Sequence, residues 1–205
     1  MHEDQELEIK FFLENPPEIE ERVRELGANH TSIRTFEINL RFDTSDGSLS
    51  ASQKVLRLRQ DTIARFTFKG PSQNRQDVTA RQEIEFEVSD FSAAQRFLEA
   101  LGYQVSVIYE KYRTTYELDD VQITLDEMPY GNFCEIEGPD PASIQATAGR
   151  LGLDWSARVM DSYLALFGRL KERQSLRFRD LTFSNFENLR VTPQDLGVKV
   201  GDLQP

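Results

Sequence analysis

Residues 6–10 read Glu-Leu-Glu-Ile-Lys. Successive side chains of an extended strand point to opposite faces, so Glu6, Glu8 and Lys10 share one face and Leu7, Ile9 and Phe11 the other. Two carboxylates beside an ammonium can serve a hard cation and a phosphate together, because Mg²⁺ and Mn²⁺ take oxygen donors and bridge to phosphate oxygens. The same alternation returns along the chain. Arg57 and Arg59 oppose Leu56 and Leu58, while Arg65, Thr67 and Lys69 oppose Phe66 and Phe68. Arg81, Glu83, Glu85 and Glu87 oppose Ile84, Phe86 and Val88, and Lys111 and Arg113 oppose Tyr112 and Tyr116. Gln122, Thr124 and Asp126 share a face, Glu135 and Glu137 oppose Cys134 and Ile136, and Glu37 and Arg41 oppose Phe36, Ile38, Leu40 and Phe42.

Any one of these faces is what the solvated side of an antiparallel sheet carries. Taken together they are too dense in Arg, Lys and Glu, and too clearly grouped by sign at i, i+2, for that account. If the strands curl into a barrel, one face looks into a lumen and the other must be covered. A charged lumen is costly unless its charges are paired or meet a ligand. Lys10, Arg57, Arg59, Lys69, Arg81, Lys111 and Arg113, with Arg41 added by strand parity, form a basic set suited to a polyanion, arginine as a fork and lysine as a point charge. Glu6, Glu8, Glu83, Glu85, Asp126, Glu135 and Glu137 would repel that anion unless Mg²⁺ or Mn²⁺ stood between. Glu8, Lys10 and Lys111 are the candidates for the reacting centre.

The elements that must position these groups follow from period and punctuation. Strands are predicted over 5–13, 35–43, 53–60, 62–69, 80–88, 106–118, 121–127 and 132–137, with turn signals at 46–48, 70–74, 118–120 and 129–132. Helices are predicted over 16–28, opened by Pro16 and Pro17; over 90–102, capped by Ser89 or Asp90; over 140–152; and over 156–173. Short connections imply antiparallel pairing. The fold class is therefore α+β, mainly β: eight antiparallel strands that, if they curl into a closed barrel, have helices to pack on its outside. Residues 1–173 form the domain, and 174–205 a partly ordered extension that packs on the barrel, covers it as a lid or makes a homodimer contact, fading to a loose end after Pro193.

Composition narrows the function. The 205 residues, 39% of them hydrophobic, suffice for one core. A net charge of −11 argues against nucleic acid as a partner. Cys134, the single cysteine, excludes an internal disulfide and reads as a buried structural thiol. No segment approaches the roughly 18 apolar residues of a membrane span, and the acidic start lacks the pattern of a signal peptide, so a cytoplasmic protein is expected. His2 and His30 read as surface residues, Trp155 and the Phe-rich outer faces as core, and Tyr112 and Tyr116 as packing on the apolar side.

The Glu-x-Glu-x-Lys of residues 6–10, followed in order by VLRLR, TFKGP, ARQEIEFEV, EKYRTTY, ITLDEMPYGNFCEIEG and SYLALF, resembles the CYTH superfamily, the triphosphate tunnel metalloenzymes. The resemblance spans about residues 5–167 and is closer to the bacterial class IV adenylyl cyclases than to animal thiamine triphosphatases. It implies an eight-stranded tunnel barrel, a small-molecule triphosphate substrate and a divalent metal. It also implies metal-side roles for Glu6, Glu8, Asp126, Glu135 and Glu137, less firmly Glu83 and Glu85, and triphosphate-binding roles for the basic set other than Arg41. Family members divide between hydrolases, in which water attacks the terminal phosphoryl group, and cyclases, in which the ribose 3′-hydroxyl of ATP attacks the α-phosphorus. Both need the same metal and cationic cradle, so the motif leaves the two open, with hydrolysis favoured for a lone domain. A tunnel that binds polyphosphate or nucleotide without turnover is the third reading.

Overall fold

The structure, a computed structural model, describes residues 5–202; His2 lies outside them. The alternating segments form β1 (Gln5–Leu13), β2 (Asn29–Asp43), β3 (Val55–Gln60), β4 (Ala64–Lys69), β5 (Gln73–Arg75), β6 (Val78–Val88), β7 (Gln104–Leu118), β8 (Val121–Met128), β9 (Gly131–Glu137) and β10 (Arg158–Val159). They lie in one antiparallel sheet of order β10-β1-β9-β8-β7-β2-β3-β4-β6-β5. An additional pairing of β1 with β6 closes eight of them into a ring. The first half of β1 pairs with β6, Glu6 opposite Arg81, and the second half with β9, Lys10 opposite Glu135 and Phe12 opposite Phe133. Closure leaves none of the eight as a free edge along its whole length.

The outward apolar faces are covered by helices whose apolar residues recur at i, i+4. In α1 (Pro16–Glu25) Ile19 and Val23 are buried, and in α4 (Pro141–Arg150), capped by Asp140, Ile144 and Ala148 are. Both pack with Leu7, Ile9, Phe11, Ile123 and Ile136 in the largest core cluster, each such side chain stabilising the fold by ~1.5–3 kcal/mol. Cys134 is wholly buried there and free, and burial pushes its thiol up. The single-turn α2 (Ser48–Ala51) follows β2, and α3 (Phe91–Ala100), capped by Asp90, lays Ala94 and Leu98 over Leu40, Phe42 and Leu58. The apolar face of β4 and β6 is less covered: Phe86 is 56% exposed, so the Phe-rich outer faces are not uniformly core. Trp155 is half-buried against the main core, and His30 stacks on the buried Tyr116 with ring centroids 4.7 Å apart.

Four local differences from the sequence reading have physical causes. The helix expected from 156 begins at Tyr163, capped by Ser162, as α5 (Tyr163–Gln174). Residues 158–159 instead pair with Phe11 and Lys10, because β1 beyond Glu8 has no β6 partner and its main-chain groups need one. β2 starts at Asn29, its polar beginning paired irregularly with β7 past register shifts near Ser32. The three-residue β5 is too short and polar to show a period. Residues 183–202 are not loose: α6 (Phe183–Phe186) and α7 (Pro193–Leu196), the latter with a capping box at Thr192, hold Phe186 and Leu196 in a second cluster with α5. Gly201 then donates to the Phe12 carbonyl at 2.7 Å, and the Asp202 carboxylate accepts from the Glu14 and Asn15 amides.

Candidate active site

The inward faces of the ring line a cavity of about 540 Å³. Every residue of the candidate basic and acidic sets borders it except Asp126. From β1 come Glu6, Glu8 and Lys10; from β3 Arg57 and Arg59; from β4 Lys69; from β6 Arg81, Glu83 and Glu85; from β7 Lys111 and Arg113; from β9 Glu135 and Glu137; and from β2 Arg41. Asp126 is buried behind the wall, where its carboxylate accepts from Lys111 at 3.1 Å, from both forks of Arg113 at 2.6 Å and from the Tyr163 hydroxyl at 2.8 Å.

On β1, β7 and β9 the inward face changes from charged to aromatic. Lys10 is followed by Phe12, Lys111 is preceded by Tyr109, and Glu135 by Phe133. Phe12, Phe133, Tyr109 and Tyr163 join α5 and residues of the C-terminal segment in the second apolar cluster, which floors this part of the cavity. The Lys10 and Lys111 ammoniums stand over the Tyr163 ring at 5.5 and 5.6 Å.

Signs are unevenly distributed. Lys10 donates to Glu8 at 2.5 Å and lies 3.3 Å from Glu135; Lys69 lies 2.5 Å from Glu6 and 3.0 Å from Glu83. Arg57 and Arg59 reach Glu85 at 3.3 and 3.0 Å. Among the described residues Arg41 and Arg81 have no carboxylate within ion-pair distance; Arg81 donates to the Gly70 carbonyl instead. Across the paired strands Arg41 stands directly opposite Arg57, and Glu8 directly opposite Glu137. Both couples titrate abnormally. Burial, then Arg57 and Arg81, hold the Arg41 guanidinium below its ordinary value. Burial, then Glu6, Glu135 and Glu8, push the Glu137 carboxyl up to about 8. Burial raises Glu6 and Glu8 as well, and neighbouring carboxylates add to it. For Glu135 burial is overcome by Lys10, Arg113 and Lys111, which hold it well down.

The chemistry of this donor set, all carboxylate oxygen, is of the kind a hard divalent cation takes. Four carboxylates, Glu6, Glu8, Glu135 and Glu137, line adjoining stretches of β1 and β9, and three of them are held above their ordinary range by burial and mutual repulsion, the condition a bound cation relieves. As the chain stands, lysines take several of these oxygens, and among the described residues no three acidic, histidine or cysteine groups gather around one point.

The structure adds three cavity residues that lay outside the candidate sets read from the sequence. Glu37, 3% exposed, lies 3.6 Å from Lys111 and 3.9 Å from Arg59; burial opposes its charge, but Lys111, Arg113, Arg59 and Arg57 hold its carboxyl at about 2. Its parity with Arg41 was the available signal. Tyr109 shares the parity of Lys111, and its hydroxyl accepts from Arg57 at 3.3 Å. Tyr163 sits in the SYLALF stretch and carries no periodic signal, because it enters from a helix end. Tyr112, by contrast, lies outside, beneath the Arg34 guanidinium at 3.5 Å.

A family model of the CYTH domain matches residues 4–150. The chain belongs to the CYTH family. CYTH proteins are generally enzymes, triphosphatases or adenylate cyclases, and are generally dependent on a divalent metal. Solved structures share the CYTH fold of this chain. A candidate adenylate cyclase of Vibrio parahaemolyticus superposes with a TM-score of 0.72 at 22% identity, covering 80% of this chain and 98% of its own. A protein of Pyrococcus horikoshii gives 0.66 at 27% identity, covering 82% and 99%. A candidate adenylyl cyclase of Hippeastrum with a dominant triphosphatase activity gives 0.61 at 18% identity, covering 80% and 95%. Comparison with curated proteins gives no match. Among the described residues, no helix of this CYTH chain is long and apolar enough to cross a membrane.

Proposed function

We propose that the chain is a cytoplasmic, divalent-metal-dependent phosphohydrolase of triphosphate-containing substrates: inorganic triphosphate, thiamine triphosphate or a nucleoside triphosphate. One observation carries the reading, the presence in a single cavity of two like-charged couples, Glu8 opposite Glu137 and Arg41 opposite Arg57. Like charges directly opposite on paired strands destabilise a sheet. Glu8 meets Lys10 and Arg57 meets Glu85, but among the described residues Glu137 and Arg41 have no counter-charge within ion-pair distance, and a hard cation beside a polyphosphate would supply one to each. A net charge of −11 argues against a nucleic acid and does not disfavour a small anion, which a local basic cradle can hold inside an acidic molecule.

Glu6, Glu8, Glu135 and Glu137 would hold Mg²⁺ or Mn²⁺, with Glu83, Glu85 and Asp126 as further acidic groups. A bound cation of this kind neutralises phosphate charge and polarises phosphoryl oxygens. Arg57 and Arg59 on β3, Lys69 on β4, Arg81 on β6 and Arg113 on β7 bind and orient the anion from the other walls, with Arg41 completing the basic couple. Lys10 and Lys111, fixed over Tyr163, place positive charge where a leaving or transferring phosphoryl group gathers it. Phosphoryl transfer asks mainly for positioning and charge stabilisation, and a preformed wall of buried cations provides both.

The test is a panel of inorganic triphosphate, thiamine triphosphate and ATP, each with Mg²⁺ and with Mn²⁺, products separated by chromatography. Metal-dependent release of orthophosphate supports the reading. Cyclic AMP with pyrophosphate from ATP replaces it with a class IV cyclase. Tight calorimetric binding without turnover replaces it with a polyphosphate- or nucleotide-binding module.

A further inference from the structure

The family domain ends at residue 150, yet the C-terminal segment reaches the wall of the cavity. β8 covers β7 only from Tyr112 onward, which leaves the main chain around Tyr109 unpaired on that side. Leu181 fills the gap as a parallel rung: its amide donates to the Ile108 carbonyl and its carbonyl accepts from the Glu110 amide, both at 2.9 Å. The Ile108 amide donates to the Asp180 carboxylate at 2.8 Å, and the Phe183 amide to the Glu110 carboxylate at 2.9 Å. Leu181 is wholly buried. Four hydrogen bonds therefore bracket Tyr109, whose side chain lines the cavity, where its hydroxyl accepts from Arg57. Burial opposes a charge on this phenol, but Arg57, Lys111 and Arg41 together bring it below its ordinary value, as expected of an oxygen held among cations.

We propose that Asp180–Phe183 is a positioning element of the substrate cradle, which fixes Tyr109 and through it Arg57, and so sets the affinity for the triphosphate. The proposal rests on the functional reading above. It assigns a role in binding to a segment that the family domain does not include.

The test uses the full chain and four variants: Asp180→Ala, Asp180→Asn, Tyr109→Phe and the double variant Asp180→Ala/Tyr109→Phe. With inorganic triphosphate and Mg²⁺, Asp180→Ala raises KM roughly 3- to 10-fold, the worth of one hydrogen bond, with kcat within about twofold. Asp180→Asn, which still presents a carbonyl oxygen to the Ile108 amide, restores KM. In the Tyr109→Phe background Asp180→Ala adds nothing further, because it acts through the phenol. An unchanged KM in Asp180→Ala, or effects that multiply in the double variant, overturns the proposal. A second readout needs no substrate: the Tyr109 phenol, followed by ultraviolet difference absorption against Tyr109→Phe, titrates at higher pH in Asp180→Ala and not in Asp180→Asn. Absence of that shift also overturns it. Failure of the functional reading shows separately, as an unaltered chain that neither binds nor cleaves triphosphate while the phenol shift persists.

Discussion

The raised Glu137 carboxyl makes stability itself a measure of the cavity's unbalanced charge. The group moves from an ordinary 4.5 to about 8 on folding. Between those values the folded chain keeps a proton that the unfolded chain has released, so stability falls as pH rises. Each pKa unit is ~1.4 kcal/mol, which gives up to about 5 kcal/mol over the interval, and screening by water in the cavity leaves about 2–4 kcal/mol. Urea unfolding of metal-free protein at intervals from pH 5 to pH 9 measures the trend, and Glu137→Gln isolates it, since Glu6 and Glu8 contribute to the same slope. The unaltered chain should lose about 2–4 kcal/mol more than Glu137→Gln across that range. Mg²⁺ at saturating concentration should abolish the difference and release protons at pH 7, because a cation holds the carboxylate form. Equal slopes in the two proteins, or stability that rises with pH faster in the unaltered chain, would refute the repulsion argument.

Glu8→Gln should abolish metal-dependent turnover and leave the circular dichroism spectrum unchanged; full activity at saturating metal would remove Glu8 from the metal side. Arg57→Ala, which deletes a guanidinium held between Thr67, Tyr109 and Glu85, should raise KM for inorganic triphosphate by about 10-fold or more, a charged hydrogen bond being worth ~1.5–3 kcal/mol. Gly201→Ala should lower stability by about 1–3 kcal/mol in thermal unfolding, because its new methyl would stand 2.7 Å from the Phe11 Cβ and 3.2 Å from the Phe12 carbonyl, neither of which can swing aside.

Much of the ring was legible because a closed sheet imposes a period of two on every strand. Glu6, Glu8 and Lys10 needed no more than that period to be placed on one face, and the cavity does gather them with Arg57, Lys111 and Glu135. The helices were legible from their caps, Pro16 with Pro17 for α1 and Asp90 for α3. Elements that exist to satisfy another strand's edge were not. Arg158–Val159 lies inside a helical pattern and became strand because β1 lacked a neighbour there. Leu181 pairs with β7 for the same reason, from a segment with no period of its own. Asp126 shows the limit of parity: the right face of β8 carried it inward, but Lys111, Arg113 and Tyr163 enclose it behind the cavity wall.

By itself the sequence determined which side of each strand would be charged, since side-chain direction along a strand is local geometry and hydrophobic burial fixes which side turns outward. Only the tertiary structure decided which charges meet. Register around the closed ring sets Glu8 against Glu137 and Arg41 against Arg57 while giving Lys10 and Lys69 to carboxylates, and ring closure and register depend on contacts between residues far apart in the chain.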